Sequence, residues 1–250
     1  MLPNKFKPDG LYKLIRVGKD NDGGYLVCEN SVMNSNTLIS FGISDDFTFE
    51  EHFQKIRNVN IFAYDPTVNL NFFLKKFLHS LIKLKLILFF NQFLNWINFK
   101  KFFNKSKNKL FLKKIGKGGD AFHDYISIEN IINTNDINQK IFFKIDIEGS
   151  EYRILNDLIK FMDRIEGLTI EFHDVDINMD KVLNFINKFN LKLIHIHANN
   201  WSTHGLNDIP SSIELSFSKK PILLNNNITF PHNLDQKNNP DADEIDLVFS

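Results

Sequence analysis

Segment 141–152, which reads IFFKIDIEGSEY, constrains the fold more than any other stretch of the chain. It begins with a short apolar run, long enough for a strand buried on both faces and too short for a helix. Asp146, Glu148 and Glu151 follow at once, and apolar positions from Ile154 onward have helical spacing. The segment therefore predicts a parallel strand with carboxylates at its carboxyl end, where open α/β sheets bind ligands. Each acid taken singly is equally typical of a solvated residue near a helix N-terminus.

A second strand–turn–helix pattern begins at 37–41, where TLISF is followed by a polar turn and an amphipathic helix. Gly42 allows a ligand to approach the backbone, and Ser44 and Asp45 can cap a helix whose N-terminal amides face that ligand. The dinucleotide fingerprint has three glycines, and this turn has one. The pattern disfavours NAD as the cofactor and favours a cofactor that lacks a pyrophosphate.

The next predicted strand, 60–64, ends at Asp65 and Pro66. An acid at this point, about twenty residues after the glycine turn, is where Rossmann proteins hold ribose hydroxyls. Asp65 is therefore the strongest candidate for a cofactor contact, although Asp-Pro is also a common turn.

The rest of the chain continues the alternation of strands and helices. A fifth strand, 167–172, ends at His173 and Asp174, and a sixth ends near His197 and Asn199. His195 is taken to alternate with His197 along this strand, so only one of the two is expected to face the ligand. His197 is the better candidate because it lies nearer the carboxyl end of the strand. Further elements are predicted as a third strand at 110–115, helices at 127–132 and 151–162, an antiparallel last strand at 213–217 and an edge strand at 245–249.

The whole chain, 1–250, is predicted to be one α/β domain with three additions to the sheet. Residues 1–35 form an N-terminal hairpin around an Asn-Asp-Gly-Gly turn, and residues 219–250 form a C-terminal cover. Residues 69–109 are a Phe-rich helical insertion that is too short to span a bilayer. Three surroundings are possible for its apolar side chains: burial against the domain, a homodimer contact or an interfacial membrane contact.

Composition excludes some classes of function. The formal net charge is zero, which argues against nucleic acid as a partner. One cysteine cannot support a disulfide framework, and the N-terminus lacks the apolar core of a signal peptide, so we expect a cytoplasmic protein.

Three phrases of this chain, FKIDIEGSEY, SFGISDDFTFE and RVGKDNDGGYLV, resemble motifs of the FkbM-type S-adenosylmethionine-dependent methyltransferases. The resemblance implies a class I, Rossmann-like fold with an antiparallel last strand. It also implies methylation of a sugar hydroxyl, on a nucleotide-activated sugar used for surface polysaccharide or natural products.

The same resemblance assigns roles to residues. It implies that the methyl donor S-adenosylmethionine is bound by Glu50 in the first motif, and by Asp120 and Ala121 in the turn that lines its adenine. For the acceptor, Asp22 and Tyr25 are candidates from the N-terminal phrase, and Asn199 is a candidate from its place at a strand end.

Methyl transfer to a hydroxyl needs a base or a metal beside the acceptor. By analogy with metal-dependent sugar O-methyltransferases, Asp146, His173 and Asp174 would bind Mg²⁺ or Mn²⁺, and Glu148 would be the base. His173 departs from the usual acid and is also compatible with a hydrogen-bonded histidine at a strand end. His197 is a second candidate base.

Two other functions remain open. One is methylation of a nitrogen or carboxyl group with the same donor, which would not require an acceptor hydroxyl. The other is a non-catalytic binding or assembly module, in which the insertion mediates contacts.

Overall fold

A computed structural model of the protein describes residues 1–117, 125–138, 140–201, 205–206 and 209–250. The strands are β1 (Leu11–Tyr12), β2 (Leu14–Val17), β3 (Tyr25–Cys28), β4 (Thr37–Phe41), β5 (Asn60–Tyr64), β6 (Asn108–Phe111), β7 (Lys114–Ile115), β8 (Tyr125–Ile126), β9 (Ile141–Ile145), β10 (Ile165–Phe172), β11 (Lys192–Ala198), β12 (Ile213–Ser218) and β13 (Leu223–Asn225). The α-helices are α1 (Glu29–Asn34), α2 (Thr48–Ile56), α3 (Leu70–Ile82), α4 (Leu86–Phe103), α5 (Ile128–Thr134), α6 (Leu155–Lys160) and α7 (Val175–Lys188). Short 3-10 helices cover Asn4–Phe6, Glu151–Arg153 and Met162–Arg164.

Seven strands form the central sheet, in the order β11-β12-β10-β9-β4-β5-β6. β12 is antiparallel to both of its neighbours, and the other pairs in the sheet are parallel. This order confirms the predicted class I, Rossmann-like fold with an antiparallel last strand. The strand order reverses between β4 and β9, which is the switch point where such sheets bind ligands.

The core lies on both faces of the sheet. Successive side chains of a strand point to opposite faces, so Phe142 and Phe143 of β9 belong to different apolar clusters. The cluster around Phe143 packs under α5, α6 and α7, and the cluster around Phe142 packs under α2 and the insertion. Both faces of the predicted buried strand are therefore covered.

Three parts of the chain surround the sheet. β2 and β3 form an antiparallel hairpin, with Leu14 opposite Cys28. α3 and α4 form a helical hairpin within the insertion, and β13 pairs with β1. No helix in the described ranges has both the length and the apolar character needed to cross a membrane.

Several predicted elements differ from the structure. The third strand was predicted at 110–115, but the Lys113 N–H donates to the Phe111 carbonyl at 2.9 Å, and this tight turn separates β6 from β7. The helix predicted at 151–162 is split, since Ile154 has φ −115° and interrupts it between a 3-10 turn and α6. The predicted edge strand at 245–249 is wrong, because only a single bridge, between Phe249 and Leu2, forms there.

Candidate active site

A cavity of about 620 Å³ opens where β4, β5 and β9 end. Its volume lies within the usual range for small-molecule sites. Of the residues predicted for the site, those in its wall are Asp22, Gly42, Ser44, Asp45, Asp65, Pro66, Asp146 and Glu148. The switch point of the sheet thus brings together most of the candidate donor residues and two of the candidate catalytic acids.

Gly42 joins the turns that follow β4 and β9. Its φ is +72°, and a Cβ atom built on it would lie 1.6 Å from the Asp146 carbonyl oxygen. The Asp146 N–H donates to the Phe41 carbonyl at 3.0 Å, which holds the two turns at this distance. The close approach that requires glycine here is therefore an approach of backbone to backbone.

Asp65 organises the turn after β4. Its Oδ2 accepts hydrogen bonds from the N–H groups of Ile43 and Ser44 at 3.0 and 2.8 Å. Its Oδ1 accepts from the N–H and the hydroxyl of Thr67 at 2.7 and 2.6 Å. Burial raises the pKa of Asp65, but these four donors outweigh burial and hold it below its ordinary value. Asp65 is thus an ionised carboxylate at the cavity wall, with about four acceptor positions in use.

Three other residues predicted to contact the cofactor have different surroundings. Ser44 is exposed and has φ +52°, and Pro66 is exposed at the rim. The Asp45 carboxylate accepts from Lys76 Nζ at 2.7 Å, and its carbonyl accepts from Asn95 at 2.8 Å. Asp45 therefore fixes the insertion to the cavity rim.

Lys144 is a wall residue that sequence reasoning missed. It is buried within β9, and its Nζ donates to the Gly42 carbonyl at 2.5 Å and lies 3.5 Å from Asp146 Oδ2. Burial lowers the pKa of Lys144, but the carboxylates of Asp146 and Glu50 outweigh burial and raise it. A charged residue inside an otherwise apolar five-residue strand was the signal that could have identified it.

Glu50 lies outside the cavity wall. It is buried, its Oε1 accepts a hydrogen bond from the Ser40 hydroxyl, and its Oε2 has no hydrogen-bond partner. Burial raises the pKa of Glu50, and the charge of Lys144 opposes that shift. The structure thus gives Glu50 a contact with Ser40 beneath the wall and no exposure to the cavity.

Asp146, Glu171 and His173 bring their ligand atoms within 4.8 Å of one another. His173 Nε2 lies 4.0 Å from Asp146 Oδ1 and 3.6 Å from Glu171 Oε1. Glu171 was missed by sequence reasoning, which paired His173 with Asp174. Residues two apart in a strand share a face, so the spacing of Glu171 and His173 was the available signal.

Asp174 does not belong to this group. It is exposed, has φ +51° and precedes α7. Of the three residues predicted to bind a metal, the structure therefore brings together Asp146 and His173 but not Asp174, because the chain leaves the strand direction immediately after His173.

Glu171 is held from several sides. Its Oε1 accepts from Asn199 Nδ2 at 2.8 Å and from the Ser212 hydroxyl at 2.7 Å. The Tyr25 hydroxyl oxygen lies 3.4 Å from Glu171 Oε2 and 3.2 Å from Asp146 Oδ2, and its one proton can be donated to either carboxylate. Burial, together with the nearby carboxylates, raises the pKa of Glu171 to about 8. Tyr25 and Asn199, predicted as acceptor contacts, thus bond to the acids of the group.

The turn after β9 contains two glutamates with opposite environments. Glu151 is fully buried, and its Oε1 accepts from the N–H groups of Ile147 and Gly149 and lies 3.1 Å from His173 Nδ1. Glu148 has φ +53° and an exposed side chain, with Oε2 3.4 Å from His173 Nε2. Burial lowers the pKa of His173, but Glu151 and the other acids raise it to about 9.

His197 lies away from the cavity, on the edge strand β11. Its Nε2 is 2.6 Å from Glu244 Oε1, and its Nδ1 is 3.7 Å from Glu214 Oε2. The expectation that only one of His195 and His197 faces a given side was wrong. Residues i and i+2 of a strand share a face, and the two rings stack with centroids 6.5 Å apart.

Asp120 and Ala121, predicted to line the adenine, lie outside the described residues. Of the remaining candidates, Asp22 is exposed and lines the cavity beside Gly23.

The Asp146–Glu171–His173 group fits a divalent cation in its chemistry. Two carboxylates and one imidazole suit Mg²⁺ or Mn²⁺. Glu151 engages Nδ1 of His173 and leaves Nε2 facing the acids, and a carboxylate behind an imidazole in this way is usual for metal-ligating histidines. The same atoms can hold protons, because the pKa values of His173 and Glu171 are both raised.

Comparisons with known proteins gave matches only among solved structures: no protein-family model and no curated protein matches the chain. One similar structure is an rRNA methylase from Streptococcus thermophilus, with 12% identity and a TM-score of 0.40 over 76% of this chain and 93% of that chain. Fibrillarin in its complex with Nop5p has 10% identity and a TM-score of 0.41, over 75% and 74% of the two chains. Precorrin-6y C5,15-methyltransferase from Geobacter metallireducens has 12% identity and a TM-score of 0.37, over 77% and 85%.

Proposed function

We propose that this protein is an S-adenosylmethionine-dependent methyltransferase that methylates a hydroxyl group on a small polar acceptor. The observation that carries the proposal is the cavity at the switch point of a sheet with class I strand order, with acids and a histidine at its edge. The acceptor oxygen attacks the methyl carbon, the carbon–sulfur bond breaks, and S-adenosylhomocysteine leaves. The hydroxyl proton passes to a base beside the acceptor.

The donor would bind beside the turn that Asp65 organises. Asp65 already accepts two hydrogen bonds at each oxygen, so a ribose hydroxyl must replace one of the donors. The Thr67 hydroxyl is the group best suited to be replaced, because Thr67 is exposed and its hydroxyl can rotate away while its N–H stays bonded. Gly42 and Pro66 line the cavity on either side of Asp65 and would contact the methyl donor there.

Glu148 is our candidate for the base. Its exposed carboxylate lies at the cavity wall beside His173, while Glu151 is held by backbone N–H groups and cannot move to an acceptor. A divalent cation held by Asp146, Glu171 and His173 would lower the pKa of the acceptor hydroxyl.

For the acceptor we propose a nucleotide-activated sugar, as the resemblance to FkbM-type methyltransferases implies, with a role in surface polysaccharide or natural-product synthesis. Lys113 and Lys114 line the cavity, and their ammonium groups suit a diphosphate, while Lys19 in the same wall pairs with Asp46 at 2.7 Å. The free, buried Cys28 is compatible with a reducing compartment, and we include a cytoplasmic location in the proposal.

Calorimetric titration of S-adenosylhomocysteine into chelator-treated protein tests the donor site directly. We expect micromolar binding, and we expect added Mg²⁺ or Mn²⁺ to bind with release of protons, because the metal displaces them from His173 and Glu171. Absence of donor binding with and without metal would contradict the proposal and favour a non-catalytic binding module.

Asp65→Ala should weaken that binding by roughly 1 to 3 kcal/mol, since it removes the acceptor for a ribose hydroxyl and for the N–H groups that shape the turn. Asp241→Ala is the matched control, because Asp241 is an exposed acid outside the cavity wall. Equal affinities for the two variants, with melting curves that show both are folded, would remove Asp65 from the donor site.

A further inference from the structure

The helical insertion differs in charge from the rest of the chain. Residues 69–109 contain nine lysines and neither aspartate nor glutamate, although the whole chain has a formal net charge of zero. The insertion is therefore strongly basic, and the remainder of the chain is acidic to the same extent.

One face of the α3–α4 hairpin is fixed to the domain. Phe99 and Phe102 pack on Phe47, with ring centroids 5.7 and 5.1 Å apart. Lys76 and Asn95 bond to Asp45 at the cavity rim. The hairpin is thus held in place from its base, and its orientation does not depend on the residues at its far end.

The far end of the hairpin exposes a group of large apolar side chains. Residues 81–88 are all exposed, and Leu84 and Ile87 have 84% and 80% of their surface accessible. We call the following six residues the tip patch: Leu81, Ile82, Leu84, Leu86, Ile87 and Phe90. Lys83 and Lys85 lie within it.

We propose that the tip patch docks on an anionic lipid surface. Exposed apolar patches of this kind mark interaction sites. Lysines beside aliphatic side chains suit a bilayer interface, where the aliphatic groups enter the acyl boundary and the ammonium groups meet anionic headgroups. The hairpin would lie in the interface without crossing it.

Two other occupants fit the same surface less well. A second copy of the chain, docked patch to patch, would bring Lys83 and Lys85 of both copies together with no acid in either hairpin. Nucleic acid would meet the charge, but nucleic-acid interfaces are polar, and the tip patch is aliphatic apart from Phe90. Lipid is the partner that satisfies both the apolar and the basic character.

Co-sedimentation with vesicles tests the proposal on the full-length protein. We expect binding to vesicles made of equal parts phosphatidylglycerol and phosphatidylcholine, weaker binding to phosphatidylcholine alone, and release at high salt. Ile87→Glu should lower the partition coefficient at least about tenfold, since it places a charge in the apolar contact. Ile177→Glu is the matched control, because Ile177 is 68% exposed on α7, outside the hairpin, and should bind as the parent does.

Two further variants separate the electrostatic contribution to vesicle binding from the insertion of apolar side chains. Lys83→Gln combined with Lys85→Gln should lower binding to the anionic vesicles roughly tenfold and leave the phosphatidylcholine result unchanged. Leu84→Trp should show quenching by brominated acyl chains, which reports insertion of the turn itself.

Three outcomes would overturn the proposal. Equal loss of vesicle binding in the Ile87→Glu and Ile177→Glu proteins would show that the tip patch is not the contact. A dimer that Ile87→Glu dissociates, with no vesicle binding, would assign the patch to a second copy. Binding of a single-stranded RNA with no vesicle binding would assign the basic insertion to nucleic acid.

Discussion

Burial decides the roles of the two glutamates in the turn after β9. Glu151 is fully buried and bonded to two backbone N–H groups, so it shapes the turn and orients His173. Glu148 is three residues earlier, has an exposed side chain and lies at the cavity wall. The proposed mechanism therefore gives the positioning role to Glu151 and proton transfer to Glu148.

Glu148→Gln should slow turnover by at least about a hundredfold and leave S-adenosylhomocysteine binding unchanged, because the amide keeps the shape of the carboxylate and loses its basicity. The measurements are kcat with a nucleotide-sugar acceptor and calorimetric donor affinity. Glu129→Gln is the control, since Glu129 is an exposed acid paired with Lys160 on the surface. Near-normal kcat in the Glu148 variant would end its assignment as the base.

The site residues that the sequence pattern did not identify are the buried charged ones. Lys144 and Glu171 each lie inside a strand whose neighbours are apolar, so hydrophobic periodicity counts them as interruptions of a buried strand. Their positions become meaningful only when β9 and β10 are paired and both side chains are brought beside Asp146. Acids at a strand end, such as the half-buried Asp146 and the exposed Glu148, were predictable because they follow the apolar run directly.

At the scale of elements, the turns after β4 and β9 act as one unit. Gly42 contacts the Asp146 backbone, and Lys144 bonds to the Gly42 carbonyl. A change in either turn is therefore transmitted to the cavity wall through backbone atoms.

Gly42→Ala should lower the free energy of unfolding by about 3 kcal/mol or more, because its Cβ meets a backbone oxygen in addition to the strain of a positive φ. Gly149→Ala is the comparison: its φ is +91°, but its Cβ would have nothing nearer than 3.8 Å. That change should cost about 1 to 2 kcal/mol from backbone strain alone. Urea unfolding of both proteins checks the difference, and equal losses would contradict the backbone contact.

Elements with strong apolar runs were predicted well. β4, β5 and β9 begin and end where the sequence predicts them, and Ser127 caps α5 by accepting from the Asn130 N–H at 3.1 Å. The third strand was not, because the turn at Lys113 depends on a backbone hydrogen bond that periodicity does not encode.

At the scale of the whole molecule, the C-terminal segment joins distant parts of the chain. The Leu2 N–H donates to the Val248 carbonyl at 2.7 Å, and the Asn21 N–H donates to Gln236 Oε1 at 2.9 Å. Two further links reach β11, where His195 pairs with Asp235 and His197 pairs with Glu244. The segment thus closes the fold over the edge of the sheet, and its hold on β11 includes a charge pair that depends on pH.

The His197–Glu244 pair should make stability fall as the pH rises from about 6.5 towards 10. Burial lowers the pKa of His197, but Glu214 and Glu244 outweigh burial and raise it to about 10, above its value of 6.5 in an unfolded chain. The folded state therefore holds the proton more tightly, so this stabilisation is complete below pH 6.5 and is lost as His197 deprotonates in the folded protein. Urea unfolding at pH 6.5, 8 and 10 measures the decline.

Glu244→Gln should make that decline shallower by about 1 kcal/mol or more, because it removes one of the two acids that raise the pKa of His197. Glu129→Gln, which removes a surface pair, should leave the slope unchanged. His173 titrates in the same window, but it does so in both variants and in the parent, so its effect cancels in the comparison. A decline of equal steepness in the parent and the Glu244 variant would mean that the proton on His197 does not hold the C-terminal segment to the sheet, and that the neutral hydrogen bonds of Asn200 to this segment do so instead.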